Sequence, residues 1–177
     1  MTLAAPGRDL AVPVGTGRNL ALVARHYPKA RLVGLDISSE MLRSAEAAIA
    51  RAGAHERTLL GRADAAAFDP QRLFGEPGFD RVFISYSLSM IPDWERALTQ
   101  ALSVVEPGGA LHVADFGQQE RLPRWFRGGL RAWLAKFHVT PRAHLFDAGR
   151  RAALAHGGAV AEARLYRGYA WAMTISR

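Results

Sequence analysis

Apolar and polar positions fall into blocks that predict strands and helices by turns. Asp9-Leu10-Ala11-Val12 reads as a first strand, and Asn19–His26 as a helix after a glycine turn. Ala30–Leu35 is a second apolar strand ending at Asp36. Ser38 or Ser39 caps a helix from about Glu40 to Arg51, which Gly53 closes. Thr58–Arg62 and Phe79–Ser85 are the third and fourth strands. Asp93 caps a helix running through Val105, with Pro107-Gly108-Gly109 as its stop, and Ala110–Asp115 is the fifth strand. A helix near Ala148–His156 and a turn at Gly157-Gly158 follow. Val160–Tyr166 and Tyr169–Ser176 then pair as a hairpin through Arg167-Gly168. Strands alternating with helices predict a mainly parallel sheet, and the terminal hairpin predicts an antiparallel edge.

The chemistry starts at the first turn. Val14-Gly15-Thr16-Gly17-Arg18-Asn19-Leu20 sits between strand and helix, and Asp36 ends the next strand. Glycines let a backbone approach a ligand and take φ values closed to other residues. A carboxylate at the end of the second strand can accept hydrogen bonds from both hydroxyls of a ribose. Asp36 can equally be a plain helix cap. Leu20 stands where a dinucleotide fingerprint has its third glycine, which points away from NAD and towards S-adenosylmethionine (SAM), a cofactor with no pyrophosphate to cradle. The expected fold class is therefore α/β, a Rossmann-like sheet of seven strands in three layers.

Composition narrows the classes. Of 177 residues, 49% are apolar, enough for a core in one domain. The chain has no cysteine, so it holds no disulfide or thiolate metal site, and its six histidines show no metal-ligand spacing. Residues 1–14 lack the basic start and apolar core of a signal peptide. No apolar run approaches the roughly 18 residues of a membrane span. The net charge of +7 is almost all arginine, since only Lys29 and Lys136 are lysine.

That charge is concentrated after the fifth strand. Residues 121–138 contain no acid. At helical spacing Leu122, Phe126, Leu130, Trp133, Leu134 and Phe137 share a face, and Arg124, Arg127 and Arg131 lie opposite. A cationic amphipathic helix with tryptophan at its edge suits an anionic bilayer surface. The alternative is a helix packed on the sheet with a solvated arginine face.

The element order and the spacing of these residues resemble a class I SAM-dependent methyltransferase from about Asp9 to Arg177. By that resemblance Gly15 and Gly17 form the turn beneath the methionine moiety, with Thr16 and Asn19 beside it. Asp36 and Ile37 meet the ribose side. Asp64 meets the adenine amino group, with Ala65 against the ring. Ser85 and the segment to Trp94 face the transferring methyl. Longer phrases are more specific. Residues 85–94 (SYSLSMIPDW), 115–127 (DFGQQERLPRWFR), 137–142 (FHVTPR) and 166–171 (YRGYAW) resemble the bacterial betaine-lipid N-methyltransferases. Their relatives include bacterial phosphatidylethanolamine N-methyltransferases. The resemblance implies threefold methylation of a lipid amine, diacylglyceryl-homoserine or phosphatidylethanolamine. It places the enzyme in the cytoplasm, peripheral on the inner face of the membrane and held there by residues 121–137.

Tyr86 is the residue expected to orient the amine, through its hydroxyl or through cation–π contact. Asp115 is expected to supply countercharge, or to cap the following segment. His138 and Arg142 are expected to meet the headgroup carboxylate or a lipid phosphate. No metal is expected.

Two positions depart from the family's first motif. Its acidic residue is Ala11 here, and the glycine two places on is Pro13. Proline fixes φ near −65° and removes an N–H, which predicts weakened cofactor binding. The family's helical segment before the first strand is also expected to be short, with residues 1–8 in its place, so that the chain is one methyltransferase-like domain over 1–177 with a basic insertion at 121–146. Three other functions compete. A nucleic-acid methyltransferase fits the charge but lacks the Asn/Asp-Pro-Pro-aromatic signature after strand four. A NAD-dependent reductase lacks the third glycine. A non-catalytic membrane-associated protein with impaired SAM binding fits Ala11 and Pro13.

Overall fold

The computed structural model describes residues 7–11, 13–123, 128–130, 133, 134, 136 and 139–177. Seven strands form one sheet: β1 Arg8–Ala11, β2 Arg31–Asp36, β3 Thr58–Arg62, β4 Phe79–Ser85, β5 Val105–Phe116, β6 Ala159–Leu165 and β7 Ala170–Ser176. Their order is β3-β2-β1-β4-β5-β7-β6. The first five strands pair in parallel, and β7 runs antiparallel to both β5 and β6. This is the Rossmann-like sheet that the sequence predicts, with the strand order reversing between β1 and β4. In open α/β sheets that reversal leaves a crevice at the carboxyl ends of the strands.

Helices α1 (Arg18–His26) and α2 (Ser39–Arg51) cover one face. Leu20, Ala24, Ala45 and Ile49 bury there against Leu32. Short α3 (Pro70–Phe74), α4 (Trp94–Ser103) and α5 (Leu145–Ala155) serve the other face. Val82, Ile84, Leu98, Leu102, Leu111 and Phe146 form its core. Residues two apart on a strand share a face, and so Val33 and Leu35 join one core while Leu32 joins the other.

Two boundaries differ from expectation. The helix after Asp93 ends at Ser103, not Val105. Val105 pairs with Phe79 at the start of β5 and is buried. An apolar β-branched residue gains more in the sheet than at a helix end. Pro107-Gly108-Gly109 therefore lies within β5, where the register slips between Phe79 and Arg81. A Cβ at Gly109 would stand 2.5 Å from the Asp80 carbonyl oxygen. Helix α3 was not expected, although Asp69-Pro70 and Gly75 carry its cap, first turn and left-handed stop. It places Phe74 under Gly61 and edge-on to Phe79, with ring centroids 6.5 Å apart.

Much of the basic segment falls outside the described residues, including Trp125, Phe126, Phe137 and the arginines at 124, 127 and 131. Of its expected apolar face, Leu134 is buried and Trp133 is 53% exposed.

Candidate functional site

A cleft of about 810 Å³ opens at the carboxyl ends of the strands around the β1/β4 reversal. Its first wall is the glycine turn. The N–H of Val14 donates to the Leu35 carbonyl at 2.7 Å, which ties the turn to β2. Gly15 adopts φ +54°, and a Cβ there would meet no protein atom within 4 Å. Gly15 lines the cleft, and its missing side chain leaves the backbone open to that space. Gly17 is different. It is not in the wall, and a Cβ on it would lie 2.6 Å from the Ala45 backbone of α2. Its role is close helix packing.

Asp36 ends β2 with only 6% of its surface exposed. Its Oδ2 accepts the Gly15 N–H and its Oδ1 accepts the Ser38 N–H, both at 2.9 Å. A carboxylate has about four acceptor positions, so two remain for the diol of a ribose. Ser38 caps α2 by accepting the Met41 N–H. Ile37 lies 63% exposed beside this acid.

The second wall follows β3. Asp64 Oδ1 accepts the Ala66 N–H at 2.8 Å and shapes a tight turn through Ala67. Its other oxygen is left for an external donor. Ala65, Ala66 and Ala67 line the cleft with small side chains, leaving room for a flat ring. Asn19, from α1, donates to the Ser85 hydroxyl at 2.9 Å and links the glycine turn to the end of β4.

The third wall is the loop after β4. Tyr86 is held at φ +52°, a left-handed conformation uncommon outside glycine. Its N–H donates to Ala114 at 2.7 Å. Its ring meets Phe116 edge-on at 5.0 Å, and Phe116 meets Tyr169 at 5.7 Å. Burial, with smaller contributions from Tyr169, Asp115 and Tyr166, holds the Tyr86 hydroxyl above its ordinary range. A phenol is protonated near neutrality even at its ordinary value, so this hydroxyl has a proton to donate. Ser87 also lines this wall. Its hydroxyl is buried and, among the described residues, has no hydrogen-bond partner. Such a group costs free energy until a ligand satisfies it. Serine is too common in loops for sequence alone to mark this one.

Asp115 does not reach the cleft. It is 1% exposed. Its oxygens accept the N–H groups of Ser89, at 3.1 Å, and Phe116, at 2.7 Å. Burial raises its pKa, and those bonds lower it in part. Its geometry is that of a positioning residue pinning the loop that carries Tyr86. Arg142, expected at a headgroup, does similar work. Its guanidinium donates to the carbonyls of Leu88, at 3.0 Å, and Ile91, at 2.7 Å, and lies over the Trp94 ring. His138 lies outside the described residues. Gly15, Thr16, Asn19, Asp36, Ile37, Asp64, Ala65, Ser85 and Tyr86 thus border one cleft, and Pro13 borders it too. Among the described residues no group of His, Asp or Glu is arranged to hold a metal ion.

The donor set fits S-adenosylmethionine: an acid with free acceptor positions for a diol, a small-residue slot beside a second acid, and an orphaned hydroxyl near the far end. Comparison with known proteins agrees. Residues 10–109 match the methyltransferase domain family. A trans-aconitate 2-methyltransferase of Methylobacterium radiotolerans is 32% identical over 111 residues, 63% of this chain and 38% of its own length. A demethylmenaquinone methyltransferase of Thermus thermophilus is 36% identical over 115 residues, 63% of this chain and 48% of its own. A phosphatidylethanolamine N-methyltransferase of Cereibacter sphaeroides is 29% identical over 117 residues, 66% of this chain and 54% of its own. The chain thus spans about half or less of the length of these relatives. The solved structure of an S-adenosylmethionine-dependent methyltransferase from Mesorhizobium loti superposes with a TM-score of 0.72 at 19% identity, covering 100% of this chain and 94% of that one.

Proposed function

The chain belongs to the methyltransferase domain family, and we propose that it transfers methyl groups from S-adenosylmethionine to the amine of a lipid headgroup. The observation that carries this reading is that Asp36 and Tyr86 line one and the same cleft. Bound there, the cofactor supplies an electrophilic methyl on a sulfonium. The chain's own work is alignment and exclusion of water. Asp36 accepts the ribose hydroxyls, and Asp64 accepts from the adenine amino group. Gly15 lets the backbone close on the methionine end. The Tyr86 hydroxyl and ring orient the acceptor nitrogen. The ring favours it increasingly as methyl groups accumulate and charge becomes permanent. The amine loses its proton to water before it is methylated.

Support for a lipid amine comes from the phosphatidylethanolamine N-methyltransferase relative and from residues 85–94 and 166–171. Among the described residues no helix is long and apolar enough to cross a membrane. Surface attachment through residues 121–137, on the cytoplasmic side, is the accompanying proposal. A second reading is favoured by Pro13, which borders the cleft. In it the chain is a membrane-associated methyltransferase-like protein with weakened cofactor binding.

Two measurements test this. Calorimetry with S-adenosylmethionine comes first. Transfer of labelled methyl to vesicles of phosphatidylethanolamine, with trans-aconitate and demethylmenaquinone as rival acceptors, comes second. Cofactor binding with label in the lipid supports the enzyme. Absence of cofactor binding sinks it and leaves the second reading. Label in a rival acceptor sinks the lipid amine alone.

A further inference from the structure

The turn proposed for the methionine end of the cofactor carries a cation where its own helix disfavours one. Arg18 is the first residue of α1 and lines the cleft with Gly15, Thr16 and Asn19. Among the described residues no carboxylate accepts from its guanidinium. The first turn of α1 holds no acid, and Gly17 before it supplies no side-chain cap. Backbone N–H groups at a helix start carry partial positive charge, so an arginine there opposes the helix dipole. A bound anion relieves both. A second observation is independent of the helix. Asn19 donates to Ser85 at 2.9 Å and brings this turn against the end of β4. Two residues beyond Ser85, Ser87 lines the cleft at 5% exposure, its hydroxyl unpartnered among the described residues. A buried hydroxyl in that state points to a ligand.

The acids of the cleft stand elsewhere. Among the described residues they are Asp36, Asp64 and Asp93. Asp36 ends β2 and Asp64 follows β3, on the opposite side of β1 from β4. Asp93 precedes α4 and lies 3.9 Å from Arg96. Residue 11, where the sequence resemblance expects an acid, is alanine. The amino-acid tail of S-adenosylmethionine bears a carboxylate and an ammonium. This turn offers a cation to the first and no acid to the second. The span is short: Asp36 accepts the Gly15 N–H at 2.9 Å, and the Gly17 N–H closes the turn on the Val14 carbonyl at 3.1 Å. The proposed ribose acceptor and Arg18 thus flank one tight turn. We propose that Arg18 binds the α-carboxylate of the cofactor, so that this chain recognises the tail by its carboxylate and not by its ammonium. This rests on the S-adenosylmethionine reading above and adds to it the residue that holds the tail. Guanidinium takes a carboxylate through two parallel N–H bonds. With the ribose held at Asp36 and the tail at Arg18, the sulfonium is fixed from both sides, which is the alignment that transfer needs.

Calorimetry on the whole chain at low ionic strength tests this with four probes. They are S-adenosylhomocysteine, its deaminated analogue (carboxylate, no amine), its decarboxylated analogue (amine, no carboxylate) and methylthioadenosine, which has neither group. In the natural chain the deaminated analogue binds within about twofold of S-adenosylhomocysteine, and the other two bind roughly tenfold more weakly. In Arg18→Gln the two carboxylate-bearing probes weaken about tenfold, the size of one charge-assisted contact. The other two do not change. Arg18→Lys, which keeps the charge and loses the fork, recovers part of the loss. Arg18→Gln melts no lower than the natural chain, since it removes a cation from a helix start. Unchanged S-adenosylhomocysteine affinity in Arg18→Gln overturns the contact. An equal loss for methylthioadenosine assigns the effect to the shape of the turn and overturns it too. A decarboxylated analogue that binds more tightly than the deaminated one overturns the preference for carboxylate. Failure of the cofactor reading looks different: none of the four probes binds the natural chain, and both proposals fall. Methylthioadenosine binding that Asp36→Ala removes, with S-adenosylhomocysteine indifferent to residue 18, overturns the role of Arg18 alone.

Discussion

Asp36 and Gly15 are joined by a hydrogen bond of 2.9 Å across 21 positions of sequence. The acid proposed for the ribose is thus also the clasp that closes the glycine turn onto β2. Its second oxygen holds Ser38 at the start of α2. Replacing it by Ala leaves two N–H groups without their acceptor and removes the ribose contact. S-adenosylmethionine affinity should fall roughly 10 to 150-fold, matching about 1.5–3 kcal/mol for bonds to a charged group. The melting temperature should fall as well, by about 2–4 °C per kcal/mol for a chain of this size. Unchanged cofactor affinity in Asp36→Ala would show that the ribose lies elsewhere.

Why some of this was legible in the sequence and some was not follows from range. Asp36 could be read because a strand, a glycine turn and an acid are local patterns with fixed spacing. The hairpin of β6 and β7 was legible for the same reason. Asp115 carries an equally local pattern, an acid ending a strand, yet its side chain turns inward to Ser89 and Phe116. The direction is set by which face of β5 meets the core, and nothing near Asp115 encodes that. Arg142 binds carbonyls 54 and 51 positions earlier. No periodicity reports such a bond. Gly17 was legible as part of the turn, but its close packing against α2 was not.

Pro13 borders the cleft at the position where the sequence resemblance expects glycine. The Ala11→Glu/Pro13→Gly variant restores an acid and backbone freedom beside the methionine end. Calorimetry should show tighter S-adenosylmethionine binding than in the natural chain. Equal or weaker binding by a folded variant would mean that these two positions do not limit affinity.

Ser87 offers a buried hydroxyl with no hydrogen-bond partner among the described residues. Ser87→Ala removes an unsatisfied group, so the empty protein should melt at the same or a higher temperature. If a ligand satisfies that hydroxyl, affinity for S-adenosylhomocysteine or for phosphocholine should drop by about two- to tenfold, as for one neutral hydrogen bond. Undiminished affinity for both probes would remove Ser87 from the site.

His112 sits on β5 opposite Thr174, its Nδ1 3.2 Å from the threonine hydroxyl. Burial, helped by the charge of Arg81, holds its pKa below the ordinary imidazole value. The unfolded chain therefore takes up the proton first as pH falls. The stability from neutral His112 is complete above the ordinary value of about 6.5. It is lost on acidification, down to the lowered folded value. Chemical denaturation from pH 8 to pH 5 should show a shallower fall for His112→Gln than for the natural chain. Parallel curves would place the titration on other histidines.

Leu134 and Trp133 are neighbours with opposite environments, one buried and the other 53% exposed. Both belong to the apolar face that sequence spacing assigns to residues 121–137, so that face is divided between the core and the surface. Leu134→Ala should cost about 2–5 kcal/mol, as for a buried leucine. It should lower the melting temperature with little direct effect on lipid binding. Trp133→Ala should do the reverse. It should weaken binding to vesicles of either charge, because the lost contribution is apolar area. Arg124, Arg127 and Arg131 lie outside the described residues, and their expected effect comes from charge alone. Changed together to Gln, they should weaken binding to anionic vesicles at low salt and leave neutral vesicles nearly unaffected, since screening removes the same contribution. Co-sedimentation beside melting curves on these variants checks all three statements. A natural chain that leaves both kinds of vesicle unbound would end the proposal of a surface-attached enzyme. A Trp133→Ala variant that melts early and still binds vesicles normally would assign this tryptophan to packing.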